Sequence, residues 1–231
     1  MIQPAKKIKP WHGTLVATFI TPAKIFLFSD GRVINRDTKE ILNDFSKVHT
    51  LTKSAGMLTL GEYMPTLKKD IQKNCELMKI EYVNDVAAIT EQILKQIWEN
   101  SRQVYEDAKK YNLDGITIFV FVTGFDKHKK PHLYYFDSRS ETPFAIKEHP
   151  LFTTGNEIEI AAMSSGSGHT EDPVGILSNY ITKNLVDKPL EEVLNKAFDF
   201  TKDSIGKNND KIGGETFYAS IDSNGNIMNR K

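Results

Sequence analysis

Residues 116–122 (ITIFVFV) set the tightest limit on what this chain can become. Isoleucine, phenylalanine and valine fall on both faces of a period of two, so neither face can rest in water, and the run reads as a central strand buried on both sides. It is far shorter than the roughly 20 apolar residues that span a bilayer. The rest of the chain therefore has to supply a layer above this strand and a layer below it.

The pattern on either side provides those layers. Residues 14–20 (TLVATFI) and 25–29 (IFLFS) are β-rich runs separated by Thr21-Pro22-Ala23-Lys24, which predicts a hairpin closed after Asp30-Gly31. Further strands are expected near 47–51 and 57–60. Helical period begins at Glu62 and is interrupted by Pro65. A longer helix follows, with Val86, Ile89, Ile93, Ile97 and Val104 on its apolar face and Asn84 or Asp85 as its cap. After residues 116–122 come strands at 133–136 and 158–163. Gly166-Ser167-Gly168 is expected to open a helix over about 174–183. Asp187, with Pro189 in the first turn, starts another that ends near Gly206. Strands at 216–221 and 226–228 close the chain around Asp222-Ser223-Asn224-Gly225, a strong hairpin signal.

Strand blocks this apolar, with helix pairs between them, are most simply satisfied by two stacked sheets whose outer faces are covered by helices. The expected class is α+β, a four-layer αββα sandwich of two stacked antiparallel sheets. Thirty Lys plus Arg balance thirty Asp plus Glu in the 231 residues, so no global field recruits nucleic acid or an anionic membrane. The single cysteine, Cys75, excludes an internal disulfide framework. Lys6, Lys7 and Lys9 are not followed by an apolar stretch, so the start does not read as a secretory signal, and a cytoplasmic protein is expected.

Four places could carry chemistry, each with an ordinary structural alternative. Thr14 heads the first strand behind Gly13, where a threonine commonly just favours extended backbone. Asp30 sits at a strand end, where aspartate commonly makes a turn. Lys47 begins a strand, either as edge protection or as a buried cation in need of a partner. Ser164-Ser165-Gly166-Ser167-Gly168 is a capping loop or an anion site, without the lysine of a phosphate-binding P-loop. His128 and His132 lie in a charged hairpin loop and read as solvated rather than metal-binding. Cys75 reads as a half-buried structural thiol, Trp98 as core, and Trp11 as N-terminal packing.

Taken together, Gly13-Thr14, Ser29-Asp30-Gly31-Arg32, Lys47, Thr59-Leu60-Gly61 and Ser165-Gly166-Ser167-Gly168 resemble, in order and interval, the proteasome β-type and HslV-like N-terminal-nucleophile (Ntn) hydrolases. Thr14 to Asp30 is sixteen residues and Lys47 to Gly61 fourteen, as in that family; the stretch between Asp30 and Lys47 is longer by one. The likeness runs from about Gly13 to the end and includes the paired Gly213-Gly214. It implies the same four-layer fold and a threonine peptidase that activates itself by cutting after Gly13. Residues 1–13 would then be a leader or propeptide, and 14–231 the hydrolase domain.

The resemblance also implies roles. Thr14 would supply the nucleophilic hydroxyl and, as a free α-amine, the base. Lys47, held by Asp30, would lower the pKa of both groups; the Gly61 N–H would face the oxyanion; Ser167 would bond the amine. Where the family carries a supporting Asp and Ser, this chain has Asn209, or Asp210 with a shift, and Ile212; Leu15 follows the nucleophile where a second threonine is common. No cofactor or metal is implied. Polypeptide substrate, a homo-oligomeric ring and an ATP-driven unfoldase partner are. A catalytically silent relative kept for assembly or peptide binding, and a small-amide hydrolase on the same fold, are the alternatives.

Overall fold

The computed structural model describes residues 11–12, 14–35, 38–61, 64, 66–108, 118–149, 151, 158–165, 172–185 and 188–230. In chain order these form β1 (Trp11–His12), β2 (Thr14–Ile20), β3 (Lys24–Asp30), β4 (Val33–Asn35), β5 (Ile41–Leu42), β6 (Val48–Thr50), β7 (Ala55–Gly61), α1 (Leu67–Met78), α2 (Val83–Ala108), β8 (Ile118–Phe125) and β9 (Pro131–Asp137). There follow β10 (Lys147–Glu148), β11 (Glu159–Ser165), α3 (Pro173–Asn184), α4 (Leu190–Gly206), β12 (Thr216–Asp222) and β13 (Ile227–Arg230). The protein is α+β, and all its sheets are antiparallel. Two five-stranded sheets run β11-β2-β3-β12-β13 and β10-β9-β8-β7-β6, and a small third sheet runs β1-β4-β5.

Alternation along β2 shows how the layers are made. Leu15, Ala17 and Phe19 point one way, into an apolar cluster with Leu177 and Ile181 of α3 and Val193, Ala197 and Phe198 of α4. Val16 and Ile20 point the other way, into a cluster that also takes in Leu27 of β3, Leu58 and Leu60 of β7 and Phe119 and Phe121 of β8. On the far side of the second sheet Met57, Val120 and Val122 pack with Leu67 and Ile71 of α1 and Val86 of α2. Of the double-sided run read from the sequence, residues 116 and 117 lie outside the described ones, and residues 118–122 lie in β8, all eight of whose residues are buried. It continues to Phe125 because Gly124 lets the backbone pass Ser54: a Cβ on Gly124 would stand 2.1 Å from the Ser54 carbonyl oxygen, and the Phe125 N–H donates to that same oxygen at 2.8 Å.

Several local expectations are corrected. Helix α2 starts at Val83 rather than behind an Asn84 or Asp85 cap, and the Asn84 amide instead donates to the Tyr134 hydroxyl at 3.1 Å. Asp172, not the Gly-Ser run, caps α3 by accepting from the Val174 N–H at 3.0 Å. Pro189 sits at the N-cap of α4, one place before its first turn, and Asp187 lies outside the described residues. Cys75 is fully in the core at 2% exposure, stacked with Leu67 and Ile71 along one face of α1. His132 is not a solvated loop residue: Glu148 Oε1 lies 2.6 Å from its Nδ1 and Asp126 Oδ2 lies 3.2 Å from its Nε2. Among the described residues no helix is long and apolar enough to cross a membrane.

Candidate functional site

The β2–β3 hairpin brings Asp30, the last residue of β3, back to the start of β2. There Asp30 Oδ1 accepts the Leu15 N–H at 2.8 Å, the amide directly after Thr14. Thr14 itself pairs with Ser165 at the end of β11. The Thr14 side chain, Gly13 and Ser167 lie outside the described residues.

Lys47 enters from the segment before β6 and donates to three oxygens: Asp30 Oδ1 at 2.7 Å, the Asp30 carbonyl at 2.9 Å and the Arg32 carbonyl at 2.8 Å. That exhausts the three donors of an ammonium. Asp30 is completely buried and Lys47 is 3% exposed. Burial pushes the Lys47 pKa below its ordinary value, and the carboxylate of Asp30 opposes the shift. A buried ion pair is tolerable only when its remaining lone pairs are occupied, and they are: Asp30 Oδ2 accepts the Gly213 N–H at 3.0 Å. Of the three side chains expected to converge, the structure brings together those of Asp30 and Lys47, within one peptide of Thr14.

Gly61 ends β7 with φ of +89°, a conformation glycine adopts at little cost. Its strand is tied to the ion pair through the Thr59 N–H, which donates to the Lys47 carbonyl at 3.3 Å, and it touches β1 as well. Asn209 and Asp210 lie on the turn that leads into Gly213. Asn209 is buried and its Oδ1 accepts the Lys211 N–H at 3.1 Å. The Asp210 carbonyl accepts from Arg32 Nη1 at 3.0 Å. Ile212 is 1% exposed within the α3–α4 apolar layer.

Sequence reasoning missed the groups that fasten this corner. Arg32 binds Asn43 Oδ1 at 2.9 Å through Nε and the Asp210 carbonyl through Nη1, and the Gly213 carbonyl accepts the N–H groups of Gly31 and Arg32 at 3.1 and 2.9 Å. The loop can close this tightly because Gly214 has φ of +74° and a Cβ there would meet the Asn43 carbonyl oxygen at 2.4 Å. The Gly213-Gly214 pair was the only sequence signal for it.

Beside the ion pair lies a pocket of about 150 Å³ lined by His49, Met57, Thr59, Met64, Leu67, Lys68 and Lys69. Burial, with the Lys68 charge as a smaller cause, pushes the His49 pKa from 6.5 down to about 4, so its ring is neutral at neutral pH. Between those two values the unfolded chain binds a proton that the folded chain refuses. Stability is therefore expected to be full above about pH 6.5 and to fall on acidification toward pH 4, by about 2–3 kcal/mol from this group. Urea unfolding at pH 7 and pH 4.5 measures the loss, and His49→Gln should remove this share of it. Among the described residues no group of three or more His, Cys, Asp or Glu is placed to hold a metal ion. No family model matches the chain, and no curated protein matches it.

Proposed function

We propose that the protein is an Ntn hydrolase of the proteasome β-type kind, a four-layer αββα sandwich whose Thr14 becomes the N-terminal residue by self-cleavage after Gly13 and then hydrolyses peptide bonds. The observation that carries this reading is a single carboxylate oxygen, Asp30 Oδ1, bonded both to Lys47 Nζ at 2.7 Å and to the backbone N–H next to Thr14 at 2.8 Å. A structural ion pair has no need to lie there; an activating one does. A lysine ammonium held near the Thr14 amine and hydroxyl would favour the unprotonated forms of both. A free α-amine, with an ordinary pKa of roughly 7.7–8.0, is then available as a base near neutral pH.

In the reaction, the amine takes the Thr14 hydroxyl proton, directly or through water, as Oγ1 adds to the scissile carbonyl carbon. The Gly61 N–H donates to the oxyanion so formed, a contact whose loss typically costs on the order of 10²-fold in rate or more. Collapse expels the leaving amine, which takes the proton from the Thr14 ammonium and leaves an ester on Oγ1. Water, deprotonated by the same amine, hydrolyses that ester.

Ile212 favours a second reading, a catalytically silent relative. Its buried aliphatic side chain brings no hydroxyl to the corner where the resemblance calls for a serine. Intact-mass measurement of the purified chain separates the two: the enzyme reading expects a mature chain beginning at Thr14, and a full-length chain in the assembled protein sinks it.

A further inference from the structure

The pocket lined by His49, Thr59 and Lys68 has no part in the chemistry above, yet it adjoins the groups that carry that chemistry. His49 lies two residues beyond Lys47 and opposite Met57 in the β6–β7 register. Met57, Thr59 and Gly61 follow one another along one face of β7. Two residues of strand span about 6.6 Å, so the pocket begins one side-chain step from the proposed oxyanion donor. A substrate carbonyl held at the Gly61 N–H would have its own side chain at the mouth.

The lining is amphipathic in a specific sense. Met57, Met64 and Leu67 are buried and make an apolar floor, suited to methylene groups. The rim is cationic: Lys68 is partly buried and Lys69 exposed. Among the described residues neither ammonium has an ion-pair partner, and none of those that line the pocket is a carboxylate. Lys68 is close enough to His49 to help hold its ring neutral, so its charge is felt inside. A protein cavity of about 150 Å³ can admit a group the size of benzene, so this pocket, of about 150 Å³, has room for the few heavy atoms of one medium-sized side chain. A cationic side chain would add a third positive charge to the two at the rim, whereas a carboxylate would neutralise them through charge-assisted hydrogen bonds.

We infer that this pocket receives the side chain on the acyl side of the scissile bond and that Lys68 and Lys69 make it select a carboxylate, so that the protein cuts after glutamate or aspartate. This deepens the hydrolase reading and rests on it. The test compares four fluorogenic acetyl-tripeptide amides that differ only in a last residue of Glu, Gln, Leu or Lys. Cleavage after Glu is expected to exceed cleavage after Gln by roughly tenfold in kcat/KM, and cleavage after Lys to be slowest. In a Lys68→Gln/Lys69→Gln chain the Glu-to-Gln ratio should fall toward one; both are helix-surface positions where glutamine keeps helical preference. Faster cleavage after Leu or Lys, or a ratio unmoved by the double substitution, overturns the proposal while the hydrolase reading stands.

A binding measurement covers the case of no cleavage at all. The His49 ring resonance, assigned with His49→Gln, is followed by NMR as the non-cleavable peptide acetyl-Ala-Ala-Glu-amide or its Gln counterpart is added. A shift with Glu alone that the double substitution abolishes keeps the pocket as an acidic-peptide site after the hydrolase reading has failed. No difference between the two peptides overturns the pocket as well.

Discussion

A chain carrying Thr14→Ala is expected to retain residues 1–13 and to lose peptide hydrolysis to background, on the order of 10⁴-fold or more. Both effects have one origin. The hydroxyl that would attack the Gly13 carbonyl during maturation is the hydroxyl that would later attack substrate, and alanine offers neither step an oxygen. The Leu15 N–H that holds Asp30 is a backbone group the substitution leaves in place, so the variant should fold, and a thermal midpoint near that of the parent is the control. Thr14→Ser, which keeps the oxygen, should restore both cleavage and turnover in part. Mass spectrometry of the two variants decides the matter. If the alanine chain is still severed after Gly13, another agent does the cutting and the argument for self-activation falls.

The second large effect is on the fold. Asp30→Ala leaves an ammonium with 3% exposure facing only carbonyl oxygens, and removing one member of a buried ion pair costs about 3–5 kcal/mol. For a domain of 150–250 residues, each kilocalorie shifts the midpoint by about 2–4 °C, so a drop of about 6–20 °C is expected in thermal unfolding. The paired substitution Asp30→Asn/Lys47→Met removes both charges while the asparagine oxygen can still accept from Leu15 or Gly213. It should recover at least about 1 kcal/mol relative to the sum of the single changes, the sign of a coupled pair. That chain would be folded and inert, separating what the pair does for stability from what it does for chemistry. Additive costs in the cycle would show that Asp30 and Lys47 act independently.

The parts of this arrangement that were legible in the sequence are those whose cause is local. The hairpin around Pro22 and the one around Gly225 follow from turn chemistry, and β8 follows from having apolar residues on both faces of its run. Strands β4, β5 and β10 carry no such signal, because two or three residues have no usable period and their pairing is decided by whatever lies beside them. The expected cap at Asn84 was lost because α2 begins one residue earlier, at Val83; Asn84 falls inside the first turn, and its side-chain N–H donates to the Tyr134 hydroxyl instead.

The site divides in the same way. Asp30 and Lys47 stand out through side-chain chemistry at recognisable intervals. Gly213 acts through its backbone N–H, which any residue other than proline possesses, and so leaves no mark in the sequence beyond a glycine pair. Arg32 works through carbonyls 178 and 180 positions away, a relationship that only folding creates. The pocket was invisible for a related reason: its walls come from β6, β7 and the head of α1, none of which carries a motif for it.

The pairing of β1 with β4 has a kinetic meaning. Trp11 and His12 lie opposite Asn35 and Ile34, one residue short of the proposed cut. While the peptide bond after Gly13 is whole, this two-residue strand meets its partner at the effective concentration of a tether, typically millimolar for short linkers. Among the described residues, two residue pairs join it to β4. Once severed it would have to compete from bulk solution, where dilution weakens its hold. Self-cleavage after Gly13 would thus turn an intramolecular strand partner into an intermolecular one, whose occupancy of the β4 edge depends on its concentration.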